Sequence, residues 1–261
     1  MAEGNRGHAD LRSALAEGKT VVGTIVNIVS PAIVEAVGWA GLDFVWIDGE
    51  HGPMGIESIE SMVRAAEVSG TTPVVRVSRN DRAEILHCLD VGAVGVHVPD
   101  VRTAEDAEKA VDAIKYHPRG SRGLSLSHRS AHYGQTSAST FLPTSNKRTF
   151  LVVHIEDGTG LENADKILAV DGVDVAFLGI MDLSQSLGVP GDVNHPLVKE
   201  GVEVITRAAK AEGKALGAIA NTLEQAIDLQ RQGIRYIVVS TVPRIVWSYL
   251  KQCREAVAAS S

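Results

Sequence analysis

The chain has 261 residues, 44% of them hydrophobic, enough to bury the core of one large α/β domain. Aromatic residues make up only 4%, so aliphatic side chains are expected to fill that core. The net charge of −7 excludes the clustered lysines and arginines that nucleic-acid binding requires, and no apolar run approaches the roughly 18 residues of a membrane span. The polar opening segment has no signal-like apolar centre. Cys88 and Cys253 are far apart within helical patterns and read as buried thiols, not as a disulfide or a zinc site. A cytoplasmic protein with small-molecule partners is expected.

Eight short runs have the character of buried strands, and helical patterns separate them. The first run, 20–27, leads through Ser30-Pro31, a helix-start signal, to a helix near 31–40. The second, 43–48, ends in the turn IDGEHG. A helix near 55–69 follows, with Ile56, Ile59, Met62, Val63 and Ala66 on one apolar face. The third, 73–77 (PVVRV), precedes a helix near 82–91 that starts at Asn80-Asp81. The fourth, 94–98, precedes a helix near 103–115 opened by Thr103 with Asp106 three residues on. Residues 116–149 then show no clear apolar period and are rich in Ser, Arg and His. A stretch this long inside a compact domain is expected to be functional or mobile, with a short extra strand at 122–125 as an alternative. The remaining strands are expected at 150–155, 174–178, 215–220 and 235–240, with helices near 161–169, 197–212, 222–232 and 242–257. Gly41, Gly92, Gly172, Gly213 and Gly233 close helices.

Strict β-α alternation with apolar strands means a parallel sheet buried on both faces. Eight such units predict a (β/α)8 TIM barrel spanning residues 1–261 as a single domain. A doubly wound sheet would use fewer strands and would usually carry a glycine-rich turn after its first strand, where this chain has VNIVSPAIV. The excursion at 116–149 follows the fourth helix, which assigns it to the N-terminal side of the barrel. The last helix presents Ile245, Val246, Tyr249, Leu250, Cys253 and Val257, a face broader than one barrel needs.

Barrel active sites form at the C-terminal ends of strands. Glu156 directly follows the fifth strand and Asp182 lies four residues beyond the sixth. Two carboxylates from neighbouring strands make an oxygen-rich site with open positions, as Mg²⁺ or Mn²⁺ prefers; the plain alternative for each is a helix N-cap. Arg76 ends a strand of Pro and Val, where an unpaired cation is costly. It would grip a substrate carboxylate, or form an internal pair with Asp48 or Glu50. Asp48 and His51 bracket a Gly-Glu turn, so Asp48 could orient the His51 imidazole as a general base, with Glu50 supporting the metal from outside; a plain surface histidine is the alternative. Asp90 ends a helix, where a negative charge opposes the dipole, a hint of a role across a subunit interface. His97 and His154 point from strand ends toward the pocket. His128 and His132 are four apart but lack a helix, and Lys19, Lys147 and Lys214 are weak Schiff-base candidates.

The stretches GTIVNIVSPAIVEAVGWAGLDFVWIDGEHGP, PVVRVSRND, CLDVGAVGVHVPDV, YHPRGSRG, HIED and GIMDLSQSLG together resemble the HpcH/HpaI aldolase family, from about Leu11 to Ala258. The resemblance implies a barrel of the phosphoenolpyruvate/pyruvate type. The implied activity is reversible cleavage of a 4-hydroxy-2-oxo acid to pyruvate and an aldehyde, dependent on a divalent metal (Mg²⁺, Mn²⁺ or Co²⁺). Oxaloacetate decarboxylation is an implied side reaction. By resemblance, Glu156 and Asp182 ligate the metal, Arg76 binds the pyruvate carboxylate, and His51, held by Asp48, moves protons. Asp90 would enter from a neighbouring subunit. Gly179, Met181, Asp182 and His154 would line the substrate, and the assembly would be a hexamer, a trimer of dimers that exchange the last helix. This chain departs from the family pattern at Ile180-Met181, where Pro-Ala is common, and at His154, where Gln is common. Two other readings stand beside this one: a lyase of the phosphoenolpyruvate/citrate lyase barrel group, or a non-catalytic 2-oxo acid sensor.

Overall fold

The computed structural model describes residues 10–260. A short helix α1 (Leu11–Ala16) leads into β1 (Val21–Val26), α2 (Pro31–Trp39), β2 (Phe44–Asp48), α3 (Ile56–Ser69), β3 (Thr72–Arg76), α4 (Arg82–Asp90), β4 (Gly95–Val98) and α5 (Ala104–Ile114). After the excursion, which contains α6 (Ala138–Arg148), come β5 (Phe150–Ile155), α7 (Gly158–Glu162), α8 (Ala164–Leu168), β6 (Val175–Leu178) and α9 (Ile180–Ser186). The chain finishes with α10 (Pro196–Ala211), β7 (Ala215–Ala220), α11 (Leu223–Arg231), β8 (Tyr236–Thr241) and α12 (Val242–Ala259). All strand pairs are parallel and β8 returns to β1, closing an eight-stranded barrel. The sequence signals for helix starts are realised in detail: Ser30 and Asp81 cap α2 and α4, and Thr103 with Asp106 forms a capping box on α5.

The core has two layers of different composition. Between strands and helices it is aliphatic, as expected, with Val45, Ile47, Val75, Val96, Leu151 and Val153 all fully buried. Inside the barrel aromatic rings join the aliphatic side chains: Phe44, Trp46, Phe150, Phe177 and Tyr236 pack with Val21, Ile25, Val74, Val152, Val175 and Val238. Glycines opposite them make the room: a Cβ on Gly23 would sit 2.4 Å from the Phe44 ring, and one on Gly217 would sit 2.6 Å from Phe177. Each buried ring contributes roughly 1.5–3 kcal/mol of hydrophobic stabilisation. Leu11 of α1 packs on this inner layer.

Several expectations need correction. The extra strand at 122–125 does not form, and these residues pair with no strand. The excursion instead contains α6, which its polar sequence ASTFLPTSNKR concealed. Tertiary bonds hold that helix: Asn146 accepts from the Tyr116 amide and donates to the Tyr116 carbonyl, and Lys115 Nζ donates to the carbonyls of Asn146 and Thr149. The single helix expected near 161–169 is split at Asn163 into α7 and α8. Cys88 is buried, which pushes its thiol up to about 12, but Cys253 is exposed on α12. The polar residues 1–9 lie outside the described residues. No described helix is long and apolar enough to cross a membrane.

Candidate active site

Strands β2 and β3 set Asp48 directly beside Arg76 in register. Arg76 Nε and Nη2 donate to Asp48 Oδ1 and Oδ2 at 2.9 and 2.7 Å, and Nη1 lies 2.8 Å from Glu50 Oε2. The guanidinium also lies over the Trp46 ring, 4.8 Å from its centroid. The internal pair weighed in the sequence therefore exists with both carboxylates. Two of the five guanidinium N–H groups donate to Asp48 while Nη1 forms an ion pair with Glu50. Burial alone would raise the Asp48 carboxyl, but Arg76 and the amides of His51 and Glu50 hold it below its ordinary value. Glu50 is lifted above its ordinary value by burial, which Arg76 only partly offsets.

Asp48 does not hold the His51 imidazole. Its Oδ1 accepts from the backbone N–H of Glu50 and of His51, capping the turn. The His51 ring is 65% exposed, and Glu50 Oε2, 4.0 Å from Nε2, is its carboxylate neighbour. The sequence pattern D-G-E-H is a turn cap before it is a dyad, because a short Asp side chain reaches nearby amides more easily than a flexible ring.

Glu156 is buried just past β5. Its Oε1 accepts from the Asp100 amide at 2.9 Å and its Oε2 lies 3.4 Å from His154 Nδ1. Burial opposes ionisation, yet His154, the Asp100 amide and Arg76 hold the carboxyl below its ordinary value. The end of β6 must approach closely, since a Cβ on Gly179 would meet Glu156 Oε2 at 2.4 Å. Asp100 was missed in the sequence although it obeys the same rule of a charge just past a strand. Its carboxyl is raised by burial and then by the negative charge of Glu156, with Asp157 and Asp182 adding to it. Asp182 is exposed in the first turn of α9, whose N-cap is Gly179, so Asp182 is not itself the cap. Met181 beside it is 62% exposed.

Ionised Glu156, whose charge helps to raise the Glu50 and Asp100 carboxyls, fits a hard divalent cation. Among the described residues no three His, Cys, Asp or Glu side chains are grouped to hold a metal unaided. Glu156 and Asp182 would be the one or two carboxylates with which Mg²⁺ is usually bound, its other positions going to water or substrate oxygens.

Below Glu156 lies a polar file that sequence reading located only in part. His154 Nε2 is 2.9 Å from His97 Nδ1, and His97 Nε2 is 2.9 Å from the Tyr236 hydroxyl. Both ring nitrogens of His154 thus face protein groups, which removes it from the substrate-lining set. His97 likewise lies inside the barrel, not in the pocket.

Asp90 does not join these residues within the chain. It ends α4 at the opposite, N-terminal face of the barrel, where Arg122 Nη2 lies 2.7 Å and His128 Nε2 3.4 Å from Oδ1. Those partners answer the unfavourable dipole. His132 has a left-handed φ of 51° in an irregular turn, so His128 and His132 share no helical face. Lys19 pairs with Glu17, and Lys214 donates to the carbonyls of Val170 and Val173. Lys115 was overlooked: burial lowers it to about 7, the range of a nucleophilic amine, but it serves two carbonyls at the end of α5, away from the strand C-termini.

A sequence profile of the HpcH/HpaI aldolase/citrate lyase family matches residues 22–240. A 5-keto-4-deoxy-D-glucarate aldolase of Salmonella paratyphi C is 35% identical over 230 residues, covering 88% of this chain and 89% of the relative. The crystal structure of an HpcH/HpaI aldolase/citrate lyase family protein from Burkholderia cenocepacia J2315 superposes with a TM-score of 0.91 at 30% identity, covering 95% of this chain and 98% of that one. The structure of the citrate synthase SbnG superposes with a TM-score of 0.87 at 29% identity, covering 96% and 98%.

Proposed function

The chain belongs to the HpcH/HpaI aldolase/citrate lyase family, and from that premise we propose that it is a metal-dependent (class II) aldolase that reversibly cleaves a 4-hydroxy-2-oxo acid to pyruvate and an aldehyde. The observation that carries this reading is the immobilised Arg76 beside the ionised Glu156 at the C-terminal end of the barrel. A divalent cation held by Glu156 and Asp182 would supply Lewis-acid stabilisation of enolate charge. Arg76 offers N–H groups not bonded to Asp48 to the substrate carboxylate and to the oxygen on which charge develops. Asp48 and Glu50 keep the guanidinium in place before substrate arrives, so no reorganisation is needed at the moment of reaction. His51, at the mouth, takes the proton of the 4-hydroxyl. The C3–C4 electron pair then passes into the pyruvate enolate as the aldehyde leaves, and C3 is protonated. Oxaloacetate decarboxylation generates the same enolate and needs no hydroxyl proton removed. Asp90 enters this reading only from a neighbouring copy, in a hexamer of dimers that exchange α12. The exposed Ile245, Val246, Trp247, Tyr249 and Leu250 on that helix support such an exchange.

Pyruvate release from 4-hydroxy-2-oxo acids, assayed with and without chelator, tests the proposal. Activity lost to chelator and restored by Mg²⁺, Mn²⁺ or Co²⁺ is expected. Full activity after chelation would revive a Schiff-base lysine, and no turnover of any 2-oxo acid, with binding retained, would favour a sensor. The likeness to a citrate synthase keeps a citrate-lyase-type reaction as the second reading, tested with oxaloacetate and citrate in the same assay. Arg76→Lys is expected to lose most activity although the charge is kept, since one ammonium cannot bridge Asp48 and Glu50 and still offer a planar pair to the substrate. Wild-type rates in that variant would reduce Arg76 to a structural charge.

A further inference from the structure

The lumen of a barrel is normally filled by apolar side chains, yet here two histidines and a tyrosine hydroxyl lie in line beneath Glu156. Burial of this many polar atoms is costly unless each finds a partner. Their partners dictate one direction of hydrogen bonding. The Tyr236 hydroxyl is fully buried and His97 Nε2 is its partner, so Tyr236 must donate there or leave its proton unbonded. His97 then accepts at Nε2, carries its proton on Nδ1 and donates to His154 Nε2. His154 in turn carries its proton on Nδ1 and points it at Glu156 Oε2. The far end is compatible with that direction, since the Glu156 carboxylate oxygen 3.4 Å from His154 Nδ1 is an acceptor. Trp46 stacks on His97 at 3.9 Å and Phe177 stacks on His154 at 4.8 Å, so neither ring is free to flip. Burial holds His97 well below the ordinary imidazole value, which keeps it neutral as the pattern requires.

We propose that Tyr236, His97 and His154 form a one-way hydrogen-bond file whose role is to position Glu156 as a cation ligand, with Tyr236 setting its direction. This rests on the reading of Glu156 as a metal ligand. The file is a positioning device and not a proton path, because it ends at a buried phenol that burial holds protonated. Losing the Tyr236 hydroxyl lets the two rings reverse tautomer, and a lone pair of His154 then faces the carboxylate. A glutamine at 154 would behave differently, since its amide can donate to Glu156 whichever way His97 is protonated.

The test is a double-mutant cycle on Mn²⁺ affinity, measured calorimetrically on the purified protein, with ¹⁵N NMR of the histidine rings. Tyr236→Phe is expected to weaken Mn²⁺ binding by roughly 10–100-fold, the usual effect of removing an outer support of a ligand. In the His154→Gln background the same change is expected to alter affinity less than about twofold. Wild-type His154 should be neutral and protonated on Nδ1, and Tyr236→Phe should lose that signature while the fold is retained. A wild-type His154 that is protonated on Nε2, or on both nitrogens, overturns the proposal without need of any variant. So does a folded Tyr236→Phe with unchanged Mn²⁺ affinity, or one equally weakened in both backgrounds. Mn²⁺ affinity that Glu156→Gln leaves unchanged would instead overturn the ligand assignment, and this proposal with it.

Discussion

Glu156→Gln is expected to reduce pyruvate formation by about 10³-fold or more while the barrel stays folded. A bound divalent cation contributes several kcal/mol to transition-state stabilisation, and each 1.36 kcal/mol is a factor of ten in rate. A neutral amide is a poor ligand for a hard cation. It also places an NH₂ group where Glu156 now accepts the Asp100 amide or faces the His154 N–H, so one of these contacts becomes donor against donor. Asp182→Asn is expected to abolish activity as well, with less disturbance of the fold because the side chain is exposed on the first turn of α9. The measurement is initial rate across a Mn²⁺ titration, with a thermal melt of each metal-free variant. Near-wild-type rates at saturating metal in both variants would sink the metal-site assignment.

The second large effect is a separation of two activities in His51→Ala. Aldol cleavage is expected to slow by about 10²–10⁴-fold, the usual worth of a general base, while oxaloacetate decarboxylation stays near the wild-type rate. Cleavage must remove a hydroxyl proton, whereas decarboxylation needs only stabilisation of the enolate. The substitution is clean in this structure. Asp48 bonds the backbone amide of residue 51, not the ring, so the turn survives, and the exposed imidazole supports no buried contact. Equal loss of both activities would mean that His51 shapes the site. If neither is lost, His154 is no substitute base, because both its nitrogens are engaged, and Glu50, raised by burial and adjacent to Arg76, becomes the next candidate.

The barrel was legible because its information is local. Runs such as FVWID and FLVVHI are apolar on both faces, glycines end the helices, and caps at Ser30, Asp81 and Thr103 start them, so period and punctuation alone imply eight β-α units. The same logic assigned Asp48, Arg76 and Glu156 to one rim, since the ends of parallel strands converge whatever the details. Helix α6 was not legible, because its stability comes from Asn146 and Lys115 reaching across about thirty residues rather than from an apolar face. Neither was the partner of each charge. Whether Asp48 holds the His51 ring or the Arg76 fork depends on which is within 3 Å, and only the β2–β3 register decides that.

Composition and periodicity by themselves determined the fold class, the strand order implied by alternation and the barrel rim on which Asp48, Arg76 and Glu156 gather. Tertiary structure alone decided that Arg76 is already clamped, that Asp90 is turned to the far face with Arg122, and that His97, His154 and Tyr236 meet in the lumen. The physical reason is the range of the interactions. Hydrophobic periodicity and capping act over a few residues and leave their mark in sequence. Hydrogen bonds between side chains from strands 57 to 139 residues apart depend on distances that no local pattern encodes.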